Sequence, residues 1–371
     1  MMSYPVAIPR SRNKRLQFVI FIPAKAAPYY LNVEMKKIIV TGGAGFIGSH
    51  TVVELINAGY TPVIVDDFSN TDERILIGLE KILGSLPTLY KIDCSDKSAM
   101  SEIFAHEKPD AVIHFAAYKA VGESVELPLK YYRNNISSLL TVLELMVEFD
   151  VRRLVFSSSC TIYGQPEILP VDENTPEQPT SSPYGYSKQV GERILRDFQI
   201  ANQKMNVALL RYFNPIGAHH TGFIGELPNG VPNNLVPYIT QTAAGIREQL
   251  VVYGDDYNTP DGSCIRDFIH VKDLATAHVR ALDWLLKQDG ICDAFNLGQG
   301  KGNTVLEVIK SFEKVNNLKL NYKIGSRRTG DVEQIYADAS KAEKILNWKT
   351  QLSLDEALKD AWRWEQQLEK L

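Results

Sequence analysis

At 371 residues, 44% hydrophobic and 23% charged, the chain has the composition of a globular protein with room for one large domain or two unequal ones. Its net charge of −4 offers no basic field for nucleic acid or an anionic membrane surface, and no run of about 18 apolar residues is present to cross a bilayer. The four cysteines, Cys94, Cys160, Cys264 and Cys292, lack metal-ligand spacing and read as free thiols in a reducing, cytoplasmic compartment.

Residues 1–35 differ in character from the rest of the chain. Arg10, Arg12, Lys14, Arg15 and Lys25 face a single acid, Glu34, and the apolar run at 16–22 is interrupted by Gln17 and closed by Pro23. That run is a poor secretory signal. Met35 precedes the first clear strand, so the expectation is an extension, either disordered or a start-site artefact. From residue 36 the pattern alternates. Short apolar runs at 37–41, 61–65, 88–92, 111–115, 153–157 and 206–211 predict strands. Helix-compatible stretches at 45–58, 72–83, 97–107, 134–148 and 184–202 lie between them. Fully apolar strands alternating with helices predict an α/β doubly wound parallel sheet of Rossmann type over residues 36–212. "PNGVPNNLVPY" then breaks the rhythm as a loop. A helix at 271–287, a strand at 294–297, a helix at 305–316 and a last helix from 354 predict a smaller C-terminal lobe within 213–371.

The stretch "IIVTGGAGFIGSH" sits between the first strand and the first helix. Gly43, Gly45 and Gly48 satisfy G-x-G-x-x-G, and Gly42, Gly45 and Gly48 satisfy a second, wider spacing. Glycines there permit a tight turn and a close approach of backbone amides to a pyrophosphate, although a purely structural strand-to-helix turn reads the same in isolation. The context strengthens the phosphate reading. "VIVDDF" places Asp66 eighteen residues after Gly48, at the end of the second strand, where a carboxylate accepts the adenosine ribose hydroxyls and repels a 2′-phosphate. That favours NAD. Asp67 is either a second contact or a solvated neighbour.

In "SPYGYSKQ", Tyr184 and Lys188 are four apart and share one face of the predicted helix. A phenol with a pKa near 10 is a weak base at neutral pH, and an ammonium one turn away stabilises the phenolate. Tyr186 is a decoy at neighbouring spacing. "LVFSSSCTIYG" ends a strand in three serines. Ser159 falls at the carboxyl end of the sheet, where its hydroxyl can bridge substrate and tyrosine. Ser157 and Ser158 read as packing or capping residues. His219, His220, His270 and His278 have no metal spacing and read as structural, so no metal is expected.

The glycine loop, the serine strand and "YGYSK", together with "HFAAYKAVGES", "YYRNNI", "LLRYFNPIGAH", "PNNLVPYI", "RDFIHVKDLA" and "RRTGD", resemble the extended short-chain dehydrogenase/reductase family from about residue 36 onward, and within it the nucleotide-sugar epimerases. The resemblance implies NAD as a resident cofactor, with Phe46 and Ile47 on the pyrophosphate and Asp93 and Cys94 beside adenine. It sets Phe115, Ala116, Ala117, Lys119 and Asn134 along the nicotinamide ribose side and Phe213 near the nicotinamide. For a UDP-hexose it implies Arg266 and Arg328 on the diphosphate, Asp331 on the uridine ribose, Asn214 and Asn234 on phosphate or sugar, and Tyr253 near uracil. Ile335, four residues beyond Asp331, would gate the hexose pocket.

The implied reaction interconverts UDP-galactose and UDP-glucose in galactose metabolism. The sugar is oxidised transiently at C4 to a 4-keto intermediate, and hydride returns to the opposite face. Tyr184, Lys188 and Ser159 would be the catalytic group. A homodimer is implied, with no nucleic-acid or membrane partner. Two alternatives stand beside this reading. A nucleotide-sugar dehydratase or decarboxylase would carry a carboxylate just before Ile162-Tyr163-Gly164, where this chain has Cys160-Thr161. A non-enzymatic NAD sensor would have no use for the intact Ser159–Tyr184–Lys188 set.

Overall fold

The computed structural model describes residues 17–19, 30–32, 35–328 and 331–370. The extension expected at 1–35 lies mostly outside the described residues. Within it, Gln17–Val19 pairs antiparallel with Tyr30–Asn32, Phe18 opposite Leu31. The remainder, Lys37–Leu371, is a separate compact unit.

In that unit the strand Lys37–Thr41 carries the alternation expected of a sheet covered on both faces. Ile38 and Val40 enter a core shared with Val52, Leu55 and Leu274, and Ile39 enters the opposite core with Val112, Leu139 and Leu143. Seven parallel strands lie in the order Cys292–Leu297, Asn206–Tyr212, Arg153–Ser159, Ala111–His114, Lys37–Thr41, Thr61–Val65 and Thr88–Tyr90. The chain winds outward from Lys37–Thr41 to one edge, then returns to its other side at Ala111–His114. The reversal point between those two strands is where such sheets hold ligands beyond their carboxyl ends. The seventh strand, Cys292–Leu297, comes from far beyond the loop that breaks the alternation.

Phe46–Asn57 packs against Val271–Leu285 on one face, and Pro128–Glu148 packs against Pro183–Ala201 on the other. Pro128 and Pro183 each stand in the first turn of their helix, where the missing amide costs nothing. The predicted start at 134 is therefore late by a turn and a half. Beyond residue 213, Ile265–His270 organises a small mixed sheet. It pairs with Gly302–Thr304 antiparallel, and with Gln334–Ile335 and Asn214–Ile216 in parallel. Leu250–Tyr253 and Tyr322–Gly325 form a separate parallel pair.

Candidate active site

The glycine loop is shaped by backbone contact. Gly42 has φ of +69°, and a Cβ there would lie 2.8 Å from the amide nitrogen of Ala116; a Cβ on Gly48 would collide with the carbonyl oxygen of Gly42. Only glycine meets both conditions, so the turn from strand to helix stays tight and the amides at the start of Phe46–Asn57 stay exposed to a ligand. Asp66 reaches into the loop: its carboxylate accepts from the amides of Ala44 at 2.9 Å and Phe68 at 3.0 Å. Burial pushes this carboxyl above its ordinary range, and those amides draw it back. Asp67 is exposed and caps Ser69. Asp93 is likewise exposed in a turn, beside the buried Cys94.

At the reversal point Phe115, Ala116 and Ala117 are partly buried. Their loop is fixed by Asn135, which accepts from the amide of Tyr118 at 2.9 Å and donates to its carbonyl at 3.1 Å and to Ser187 at 3.0 Å. Asn134 donates to the Asn135 side chain rather than into the loop. Lys119 pairs with Glu226 at 2.8 Å and stands 5.8 Å from the Phe46 ring centroid. Asn234 donates to the same Glu226 oxygen at 2.6 Å, so one carboxylate joins Lys119 to Asn234.

Ser159 and Tyr184 meet as their spacing on strand and helix requires. The strand Arg153–Ser159 extends two residues past its predicted end, so Ser159 is its terminal residue; its hydroxyl accepts from the amide of Thr161 at 3.2 Å and stands close enough to the Tyr184 phenol to favour the phenolate. The Tyr184 ring is partly exposed while its hydroxyl sits deep. Burial pushes that phenol up to about 12, and the Ser159 hydroxyl works against the rise. Lys188 is buried; its ammonium donates to the carbonyl of Ser157 at 2.7 Å and lies 5.9 Å from the Tyr184 ring centroid. Burial brings this lysine down to about 8. Tyr186 turns outward, 52% exposed, against Tyr132, which removes it as a candidate base. Ser157 and Ser158 do more than pack: Ser157 Oγ shares a hydrogen bond with Tyr212, and Ser158 Oγ donates to Glu192 at 2.6 Å.

Beyond residue 213 a group of arginines gathers around Asp331. Arg328 grips Asp331 with two nitrogens, at 2.6 and 3.1 Å, and Arg266 lies 3.8 Å from the same carboxylate. The Arg328 guanidinium stands 5.7 Å from the Tyr253 ring centroid. Thr329 and Gly330 of "RRTGD" lie outside the described residues. Arg327 pairs outward with Asp256 and covers the Tyr257 ring at 4.0 Å. Arg266 and Ile335 are direct partners on adjacent strands. Ile335 is buried with Phe213, Cys160, Ile162 and Tyr163. Asn214 pairs with Phe268 at the start of its strand. Among the described residues no group of three His, Cys, Asp or Glu side chains is gathered to hold a metal ion, and no helix is long and apolar enough to cross a membrane.

Four polar residues of this region, Asn135, Glu192, Glu226 and Asp267, are not singled out by the sequence, although Asn135 and Asp267 stand within quoted motifs. Asp267 is fully buried and accepts amides of Gln299, Gly300 and Ala337, which ties the small sheet together; burial nonetheless lifts its carboxyl to about 6. Glu192 carries a readable signal, since Tyr184, Lys188 and Glu192 continue one helical stripe at four-residue steps.

Comparison with known proteins agrees with this geometry. The family model described as "NAD dependent epimerase/dehydratase family" matches residues 38–298. UDP-glucose 4-epimerase of Bacillus subtilis (strain 168) is 50% identical over 328 residues, covering 88% of this chain and 96% of the relative. The enzyme of the same name from Dictyostelium discoideum is 50% identical over 329 residues, 89% of this chain and 95% of its own. A crystal structure of UDP-glucose 4-epimerase from Bifidobacterium longum in complex with NAD+ and UDP superimposes with a TM-score of 0.87 at 46% identity, over 90% of this chain and 98% of that one.

Proposed function

The chain belongs to the NAD dependent epimerase/dehydratase family, and we propose that within it this protein interconverts UDP-galactose and UDP-glucose by inversion at C4 of the hexose. The observation that carries the reading is the placement of the Tyr184 phenol beside the Ser159 hydroxyl, with the Lys188 ammonium 5.9 Å from the Tyr184 ring centroid, at the carboxyl ends of the central strands.

A dinucleotide suits the cradle. Gly42 and Gly48, where a Cβ would strike neighbouring backbone, keep the turn tight, and a pyrophosphate would lie against the amides of Gly45, Phe46 and Ile47 at the helix start. Asp66 and Asp67 would serve the adenosine ribose, Asp93 and Cys94 adenine, and Lys119 with Asn134 the nicotinamide side. Bound NAD supplies a hydride acceptor for the first half of the reaction and the donor for the second, and is unchanged over the cycle. The Tyr184 phenolate takes the proton of the sugar 4-hydroxyl and gives one back after inversion. Ser159 holds the sugar oxygen against the phenol, and the charge of Lys188 favours the phenolate. The lobe from residue 213 would hold UDP. Arg266 and Arg328 suit a diphosphate because each guanidinium can donate two parallel bonds, and Asp331 would accept from the uridine ribose. Asn214, Asn234 and Tyr253 complete this side. Binding energy placed on UDP leaves the hexose ring free to turn over between the two hydride transfers.

The test is direct. Purified protein given UDP-galactose, with no added oxidant or reductant, is expected to yield UDP-glucose. A 4-keto-6-deoxy product would indicate elimination chemistry, and no product at all would reduce the protein to a nucleotide binder. Leu140, Val147, Tyr186 and Ile200 are exposed on the helices Pro128–Glu148 and Pro183–Ala201. They support a homodimer, for which sedimentation should give twice the 41.6 kDa chain mass.

A further inference from the structure

We propose that Glu192 is the positioning residue of the proton-transfer pair: from one turn beyond Lys188 it keeps that lysine charged, and through Ser158 it fixes the strand that presents Ser159. The inference rests on the reading of Tyr184 and Lys188 given above. Lys188 and Glu192 lie at i and i+4 on the buried face of the helix Pro183–Ala201, and Glu192 is wholly inaccessible. The two side chains hold consecutive residues of the serine strand. Lys188 Nζ donates to the carbonyl of Ser157 at 2.7 Å, and Glu192 Oε1 accepts from Ser158 Oγ at 2.6 Å. The next residue along is Ser159, whose hydroxyl stands beside the Tyr184 phenol. A helix and a strand clamped at two adjacent points cannot slide, so the Ser159–Tyr184 distance is set from below.

Glu192 is itself held as an anion. Burial alone would raise its carboxyl, but Arg211 donates to it at 2.9 and 2.7 Å, and with Ser158 and Arg196 it keeps the group below the ordinary range. A buried carboxylate costs several kcal/mol unless so paired, and a role confined to packing could be filled without charge. The other groups around Lys188 give it no negative partner among the described residues. His114, across the sheet, is neutral, since burial and Lys188 bring it down to about 3. Tyr212 and Tyr184 are phenols that burial pushes upward. Arg211 and Arg196 are cations, and Glu177 lies only at 4.0 Å from Arg211. Among the described residues Glu192 is thus the one anion acting to hold the Lys188 proton against burial.

The experiment reads Lys188 directly. In protein labelled with 13C-lysine, the Lys188 Cε resonance is assigned by its loss in Lys188→Arg and titrated in wild type, in Glu192→Gln, and in Glu192→Gln/Arg211→Gln, in which Arg211 is not left as an unpaired buried cation. The midpoint should fall by about one pH unit in Glu192→Gln and stay near wild type in Glu192→Asp. The alkaline limb of UDP-galactose turnover should move with it. An unchanged midpoint in whichever variant folds overturns the proposal. Failure of both Gln variants to fold, with Glu192→Asp folded, assigns Glu192 to stability alone and overturns it equally. Absence of UDP-galactose turnover in the wild type would count against the proposed function, and the titration would still decide the part played by Glu192.

Discussion

The Lys188 ammonium donates to the backbone carbonyl of Ser157 at 2.7 Å and stands beside the Tyr184 ring at 5.9 Å from its centroid. On the reading proposed above, the lysine acts on the phenol through its field, Tyr184 exchanges the proton with the sugar hydroxyl, and Ser159 stands beside it.

Tyr184→Phe should lower epimerisation by about a hundredfold to ten-thousandfold, the usual loss on removing a general base. NAD should remain bound, because the cradle at Gly42–Gly48 does not involve the phenol. Turnover of UDP-galactose and the nucleotide released on denaturation measure the two effects separately. A variant retaining more than a tenth of the rate would take Tyr184 out of its role.

Arg328→Ala should weaken UDP binding more than it slows turnover at saturation. Its two-pronged grip on Asp331 marks a guanidinium oriented by its neighbour, and a charged hydrogen bond is worth about 1.5–3 kcal/mol, or roughly ten- to a hundredfold in Kd. Calorimetric titration with UDP is the measurement, and an unchanged Kd would remove Arg328 from the diphosphate site.

Ile335 is buried with Phe213 and Cys160, and pairs with Arg266 across the strand, which links it to both halves of the site. Isoleucine is stiff and intermediate in size, so efficient turnover of UDP-galactose and weaker turnover of UDP-N-acetylgalactosamine are expected. Ile335→Cys should raise the second activity. Ile335→Tyr should abolish it at an overpacking cost of about 1–3 kcal/mol. Equal kcat/KM ratios for the two sugars in all three proteins would show that another residue sets the preference.

Acid should destabilise the protein through its buried imidazoles. Burial lowers His50 and His114 to about 3 and His278 to about 4, from an ordinary value near 6.5. Below pH 6.5 the unfolded chain takes up protons that the folded one refuses. Their contribution is therefore full above that pH and is lost as pH falls toward 4. Asp267 opposes this, because its carboxyl at about 6 lets the folded state bind a proton first. His219, lowered to about 4, joins the other three, so four imidazoles stand against that carboxyl and others that burial raises, such as Asp66 and Asp273; Tm should be lower at pH 5 than at pH 7, and the difference should shrink in His278→Gln. A Tm that rises on acidification in the wild type would refute the balance.

The alternation of short apolar strands and helices makes the central sheet legible as far as Asn206–Tyr212, because strands buried on both faces leave a continuous signal. The serine, tyrosine and lysine can be read because four-residue spacing and a strand end are local facts. The structural parts of Glu192, Asn135 and Asp267 cannot, since each depends on partners 17 to 70 residues away. Ser158 reads as packing because the carboxylate that receives its hydrogen bond is on another element. The start of the helix Pro128–Glu148 is hidden because "PLKYY" follows no capping residue, and its proline serves as the first turn.

The sheet's last strand, Cys292–Leu297, pairs with Asn206–Tyr212 from Val207 to Tyr212. A nascent chain that has emerged only to residue 212 thus carries six strands with one long edge of unpaired amides and carbonyls, and some eighty further residues must be made before that edge is covered. Synthesis at about 5–20 residues per second leaves the edge open for several seconds. During that interval it can recruit a neighbouring chain as readily as its own. A fragment cut at the apparent border between the two halves would carry the same hazard permanently. Expression of the first half alone is therefore the arrangement of this polypeptide most prone to aggregate.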